Sequence, residues 1–69
     1  MSNESLFDEM SGEYVRTFRL GWMARAKRDE ERGVWIIRAV DHDNLEFQGE
    51  VPASLTAEEA LDSAELLAP

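Results

Sequence analysis

The sequence predicts an α+β domain: a three-stranded antiparallel meander with a C-terminal helix packed on one face, in β-β-β-α order. Three observations lead to it. Apolar and polar residues alternate from Tyr14 to Lys27, as a half-buried strand requires. Two further strand-like runs, Val34–Val40 and Leu45–Val51, follow across turn-forming residues. The last segment then changes to helical spacing behind a capping signal.

Residues 1–12 have weak periodicity. Ser5–Met10 could form one helical turn closed by Ser11-Gly12, so the segment reads as a flexible or loosely docked N-terminal arm on a single domain spanning residues 13–69. In the first strand, Tyr14, Phe18, Leu20, Trp22, Ala24 and Ala26 share one face, and Thr17, Arg19, Gly21, Met23, Arg25 and Lys27 the other. Gly21 marks a bulge or bend. Lys27–Gly33 is a charged hairpin loop with glycine at its end. Val34–Val40 is rich in β-branched residues and apolar on both faces except at Arg38, which suits a central strand. Asp41-His42-Asp43-Asn44 is turn chemistry. Leu45, Phe47, Gly49 and Val51 alternate with Glu46, Gln48 and Glu50 until Pro52 stops the strand.

Thr56-Ala57-Glu58-Glu59 is a capping box. Ala57, Ala60, Leu61, Ala64, Leu67 and Ala68 then follow the i, i+3, i+4, i+7 rule, a narrow alanine-rich stripe that lets the helix lie close to the sheet, with Leu66 off it. The expected core is Tyr14, Phe18, Leu20, Trp22, Val34 or Trp35, Ile36 or Ile37, Leu45, Phe47, Val51, Leu61 and Leu67. One helix covers one face of such a sheet, so apolar residues on the other must meet solvent, the arm or a partner.

Composition excludes several function classes. The 69 residues carry 15 acids, 7 bases, one histidine and no cysteine, for a formal net charge of −8. There is no disulfide framework and no thiolate zinc site. The acidic balance disfavours a conventional nucleic-acid or anionic-membrane binder. No apolar run approaches the roughly 18 residues of a membrane span. The N-terminus lacks signal-peptide character, and a cytoplasmic location is expected. Charge falls in blocks. Residues 1–15 hold four acids and no base, residues 16–38 hold all seven bases against three acids, and residues 39–69 hold eight acids and no base.

No catalytic constellation emerges. The glycines are too scattered for a phosphate loop, and the single His42 has no evident link to a nucleophile. His42 between Asp41 and Asp43 reads either as part of a metal or general-base group or as an exposed turn residue. With no other histidine or cysteine to complete a site, no metal, cofactor or catalytic residue is expected. Glu58, Glu59, Asp62 and Glu65 line the helix and either mimic nucleic-acid phosphates or form a solvated face. Arg19, Arg25 and Lys27 are expected to pair across strands with Glu46 and Glu50. Of the two tryptophans, Trp35 is the better partner-facing anchor, because its strand is apolar on both faces.

Two short motifs carry a resemblance. Glu31, Gly33, Val34 and Trp35 open the second strand of a hairpin, and Leu55, Thr56, Glu58, Glu59, Ala60 and Leu61 enter the helix. In this order they resemble HicB-type antitoxins, which implies a partial ribonuclease-H-like β-β-β-α fold that performs no catalysis and blocks a small basic toxin ribonuclease. The family's operator-DNA binding is not implied. By type, the chain also resembles small acidic phage-encoded inhibitors such as anti-CRISPR proteins. The expected function is therefore a non-enzymatic protein-binding module, an inhibitor whose partner has a basic surface, with Trp35, Glu46, Glu50, Glu58, Glu59, Asp62 and Glu65 as contacts. The alternatives are an accessory or structural subunit that homodimerises or completes a larger complex, and nucleic-acid binding through Arg16, Arg19, Arg25, Lys27, Arg28, Arg32 and Arg38.

Overall fold

The computed structural model describes residues 5–18 and 21–67. The elements are β1 (Ser5–Asp8), β2 (Glu13–Phe18), β3 (Trp22–Asp29), β4 (Val34–Val40), β5 (Glu46–Pro52) and α1 (Ala57–Leu67). The five strands form one antiparallel sheet in sequential order, and α1 lies across β2 to β5 on one face. The α+β class and the C-terminal helix agree with the sequence expectation. The strand count is five, not three.

One added strand comes from Tyr14–Lys27, which is a hairpin rather than one bent strand. Phe18 pairs with Trp22 and Tyr14 with Ala26. In this register even-numbered residues pair with even-numbered ones, so the period-two pattern runs through the turn unbroken. Alternation alone cannot distinguish this hairpin from a single long strand; the clue was length, since the run far exceeds the usual strand of about 5–6 residues.

The other added strand is β1, where the sequence reading placed a helical turn in a loose arm. Ser5–Asp8 pairs with Glu13–Arg16. The intervening turn repeats the chemistry of the β3–β4 turn: both read Asp-Glu-x-x-Gly, at Asp8–Gly12 and Asp29–Gly33. The Gly12 N–H donates to the Asp8 carbonyl at 2.8 Å, and the Gly33 N–H to the Asp29 carbonyl at 2.9 Å. Both glycines hold positive φ, +73° and +68°, which a Cβ would penalise. Each aspartate also accepts a backbone N–H within its turn, from Met10 and Arg32.

The core is Phe18, Ala24, Ala26, Trp35, Ile37 and Ala39 of the sheet against Ala60, Leu61 and Ala64 of α1. Alanine faces alanine across this interface, and Leu67 lies over Gly49, so the helix sits close, as its stripe predicts. Thr56 caps it: its hydroxyl accepts the Glu59 N–H at 3.2 Å, and Glu59 Oε1 accepts the Thr56 N–H at 2.9 Å.

The register resolves the paired alternatives in favour of Trp35 and Ile37. Val34 and Ile36 face the uncovered side. Trp35 is only 4% exposed. Its Nε1 donates to the Leu55 carbonyl at 2.9 Å, the Tyr14 ring meets it edge-on, and the Arg28 guanidinium lies over it. The expectation that Trp35 anchors a partner is therefore corrected: it anchors the helix entry. Two further core expectations are corrected: Leu45 precedes β5 and is 58% exposed, and Phe47, on the edge strand, is 36% exposed. Pro52 ends β5 as its last residue. Leu20, Arg19, Ala68 and the first four residues of the expected arm lie outside the described residues.

The close alanine interface has a direct consequence. Ala60→Leu is expected to cost about 1–3 kcal/mol by overpacking. Leu66→Ala, on the outer side of α1, should stay within about 0.5 kcal/mol. Urea denaturation of the two variants measures both.

Candidate interaction surface

The charged side chains form two networks, one on each face of the sheet. The first is centred on Arg16. Its even-numbered position on β2 turns it toward α1, and its side chain is 5% exposed. Glu58, Asp62 and Glu65 stand at i, i+4 and i+7 on one flank of the helix, so all three project the same way. Their carboxylates meet the guanidinium at 2.5–2.7 Å. Nε donates to Ser5 Oγ at 3.2 Å, and Nη2 also reaches the Glu58 carbonyl at 3.3 Å. Five N–H donors thus meet five acceptors. Burial by itself would lower the Arg16 pKa, but the hydrogen bonds to Asp62, Glu65 and Glu58 outweigh it and hold the pKa above its ordinary value. With its three carboxylates ionised, the raised pKa contributes stability that is fully present below the ordinary guanidinium value and is lost as pH rises through the folded one, so Arg16 stays charged across the neutral range.

The second network crosses the uncovered face. Asp8, Arg25, Glu13, Arg38 and Glu46 alternate in sign and come one from each strand. The separations are 3.9 Å from Asp8 to Arg25 and 3.2 Å from Arg25 to Glu13. They are 2.9 Å from Glu13 to Arg38 and 3.7 Å from Arg38 to Glu46. Glu13 is buried beneath the two arginines. Val15, Met23, Val34, Ile36 and Val40 lie on the same face around this row. The arginine stems and ion pairs cover apolar surface that would otherwise need a second layer.

The expected site residues therefore separate. Glu58, Asp62 and Glu65 share Arg16, yet Glu58 and Asp62 side chains remain 64% and 68% exposed. Glu59 is the capping carboxylate. Glu46 and Glu50 stand on β5 far from α1's acidic flank, and their partners are Arg38 and Arg32. The expected pairing with Arg25 and Lys27 fails because β4 lies between β3 and β5; Arg19 lies outside the described residues. Sequence reasoning missed Glu13, and it named Arg16 only among the bases of the nucleic-acid alternative. The signal for Arg16 was its parity with Tyr14 and Phe18 on the apolar face.

Asp41, His42 and Asp43 bring potential ligand atoms within 4.8 Å of one another. Asp41 Oδ1 already accepts the backbone N–H groups of Asp43 and Leu45, which makes it the turn's organiser. The His42 ring packs on Gly21, where an added Cβ would lie 2.7 Å from Nδ1.

No helix among the described residues is long and apolar enough to cross a membrane. Comparison of the chain with protein-family models, curated proteins and solved structures finds no match in any of the three.

Two substitutions test the networks by chemical denaturation. Arg16→Lys keeps the charge but loses the planar fork, and is expected to cost about 1–3 kcal/mol. Glu13→Gln is expected to cost about 1–2 kcal/mol, since it weakens charge-assisted bonds to both Arg25 and Arg38, whereas Glu46→Gln at the exposed end of the row should cost under about 0.5 kcal/mol.

Proposed function

We propose that this chain is a small non-enzymatic binding module that inhibits a basic nucleic-acid enzyme by direct contact. The observation that carries the reading is an excess of carboxylates over the cations that meet them. The eight acids of residues 39–69 stand on β5, α1 and the turn before β5. Among the described residues, the arginines that reach them are Arg16, Arg32 and Arg38, and His42 lies 3.5 Å from Asp43. Clustered carboxylates of this kind steer a basic partner into contact.

The same geometry gives less support to nucleic-acid binding through the bases. Arg16, Arg25, Arg32 and Arg38 are held in ion pairs, and Arg28 lies over Trp35. The HicB-type resemblance is one form of the proposal, with a toxin ribonuclease as the target. With Trp35 buried, the contact set becomes Glu46, Glu50, Glu58, Glu59, Asp62 and Glu65.

The reading is tested by affinity capture from the native host, followed by assay of the captured protein. The expected result is a stable 1:1 complex with one basic enzyme whose activity falls in proportion to added chain. Reversing Glu46 and Glu50, or Glu58 and Asp62, should weaken that complex about tenfold or more. Absence of any partner at micromolar concentration, or unchanged affinity in both charge-reversed pairs, overturns it.

A further inference from the structure

We infer that the outer edge of β5 is a strand-addition site for an extended basic segment of the partner. This rests on the binding reading above and names its mode.

The two edges of the sheet are unequal. β1 has four residues, whereas β5 has seven in an unbroken register with β4, from Val40↔Glu46 to Val34↔Pro52. Among the described residues, no element pairs with the outer side of β5. An edge strand presents unpaired N–H and C=O groups to any incoming chain, and proteins ordinarily blunt it with charged side chains, lysine above all, or with proline or a bulge; the charges on β5 are the carboxylates Glu46 and Glu50, which repel an acidic strand and admit a basic one. β5 has no lysine or arginine and no bulge, and its one proline is the last residue.

The side chains along this edge state what would fit. Phe47 and Val51 point toward the helix side, where the Phe47 ring lies tilted beside Trp22 and Leu67 lies over Gly49. Glu46, Gln48 and Glu50 point to the other face. An added strand would place alternate side chains on these two sets. Apolar residues would extend the core beside Phe47 and Val51, and lysine or arginine would meet Glu46 and Glu50.

Both carboxylates can be recruited at low cost. Glu50 is held by Arg32, an exposed turn residue, and such surface pairs are weak. Glu46 is 3.7 Å from an arginine whose other nitrogen already serves Glu13. A second copy of this chain meets the site less well: its β5 brings no lysine or arginine to Glu46 and Glu50 and adds two carboxylates of its own. In the self-pairing about Gln48, Glu46 also falls opposite Glu50, and like charges directly opposite destabilise a sheet.

The test uses the ¹⁵N-labelled full chain at low ionic strength and a synthetic peptide of alternating lysine and valine. A matched peptide, N-methylated at alternate backbone amides, keeps the charge and removes the ladder hydrogen bonds. The alternating peptide should saturate, slow the exchange of β5 amides and give strand-to-strand contacts to β5. N-methylation should abolish these effects, and the exposed double variant E46K/E50K should weaken binding about tenfold. Equal binding of both peptides, shifts centred on Glu58 and Asp62, or no saturation near 1 mM overturns strand addition. The inhibitor reading stands or falls separately, on the capture experiment.

Discussion

The arrangement of helix on sheet depends on one buried cation. α1 offers the sheet only a narrow stripe of alanine and leucine, and the sheet answers with three alanines and a glycine beneath it. Small side chains allow close approach but leave the helix few large knobs to set its rotation and position. Arg16 supplies that constraint. Its fork meets carboxylates on three successive turns of the helix, at i, i+4 and i+7, each of which must lie on the same flank for the bonds to form together. A buried guanidinium without partners would be strongly unfavourable, so the alternatives in which α1 slides or rotates are penalised more heavily than the alanine contacts alone could achieve.

The opposite face solves a different problem. A five-stranded sheet with one helix leaves one face without a covering layer among the described residues. The alternating row from Asp8 to Glu46 spans all five strands and shares its face with Val15, Val34, Ile36 and Val40. The two networks also explain the character of the remaining surface. Between them they engage Arg16, Arg25 and Arg38, with Arg32 held at the β3–β4 turn, while the acids of β5 and α1 outnumber the cations that reach them. Structural use of these arginines leaves carboxylates in excess on β5 and α1.

Local rules were readable in the residues themselves. The capping box, the stripe of α1, the limits of β4 and the turn at Asp41–Asn44 each depend on neighbours within a few positions, and each formed where the pattern placed it. The two missed strands failed for identifiable reasons. The β2–β3 hairpin preserves side-chain parity through its turn, and the β1–β2 turn was masked by a short segment whose helical and turn readings compete locally; its twin at Asp29–Gly33 was the available clue.

What the sequence by itself determined was the α+β class, the helix and its buried stripe, and the segregation of charge along the chain, because all three are properties of near neighbours and composition. Only the tertiary structure decided which face each strand residue occupies and which acid meets which base. Strand order places β4 between β3 and β5, so Arg25 turns to Glu13 and Asp8 while Arg38 reaches Glu46. Register buries Trp35 and turns Arg16 beneath the helix. Pairings between residues some forty positions apart follow from the closure of the sheet, and no local pattern encodes them.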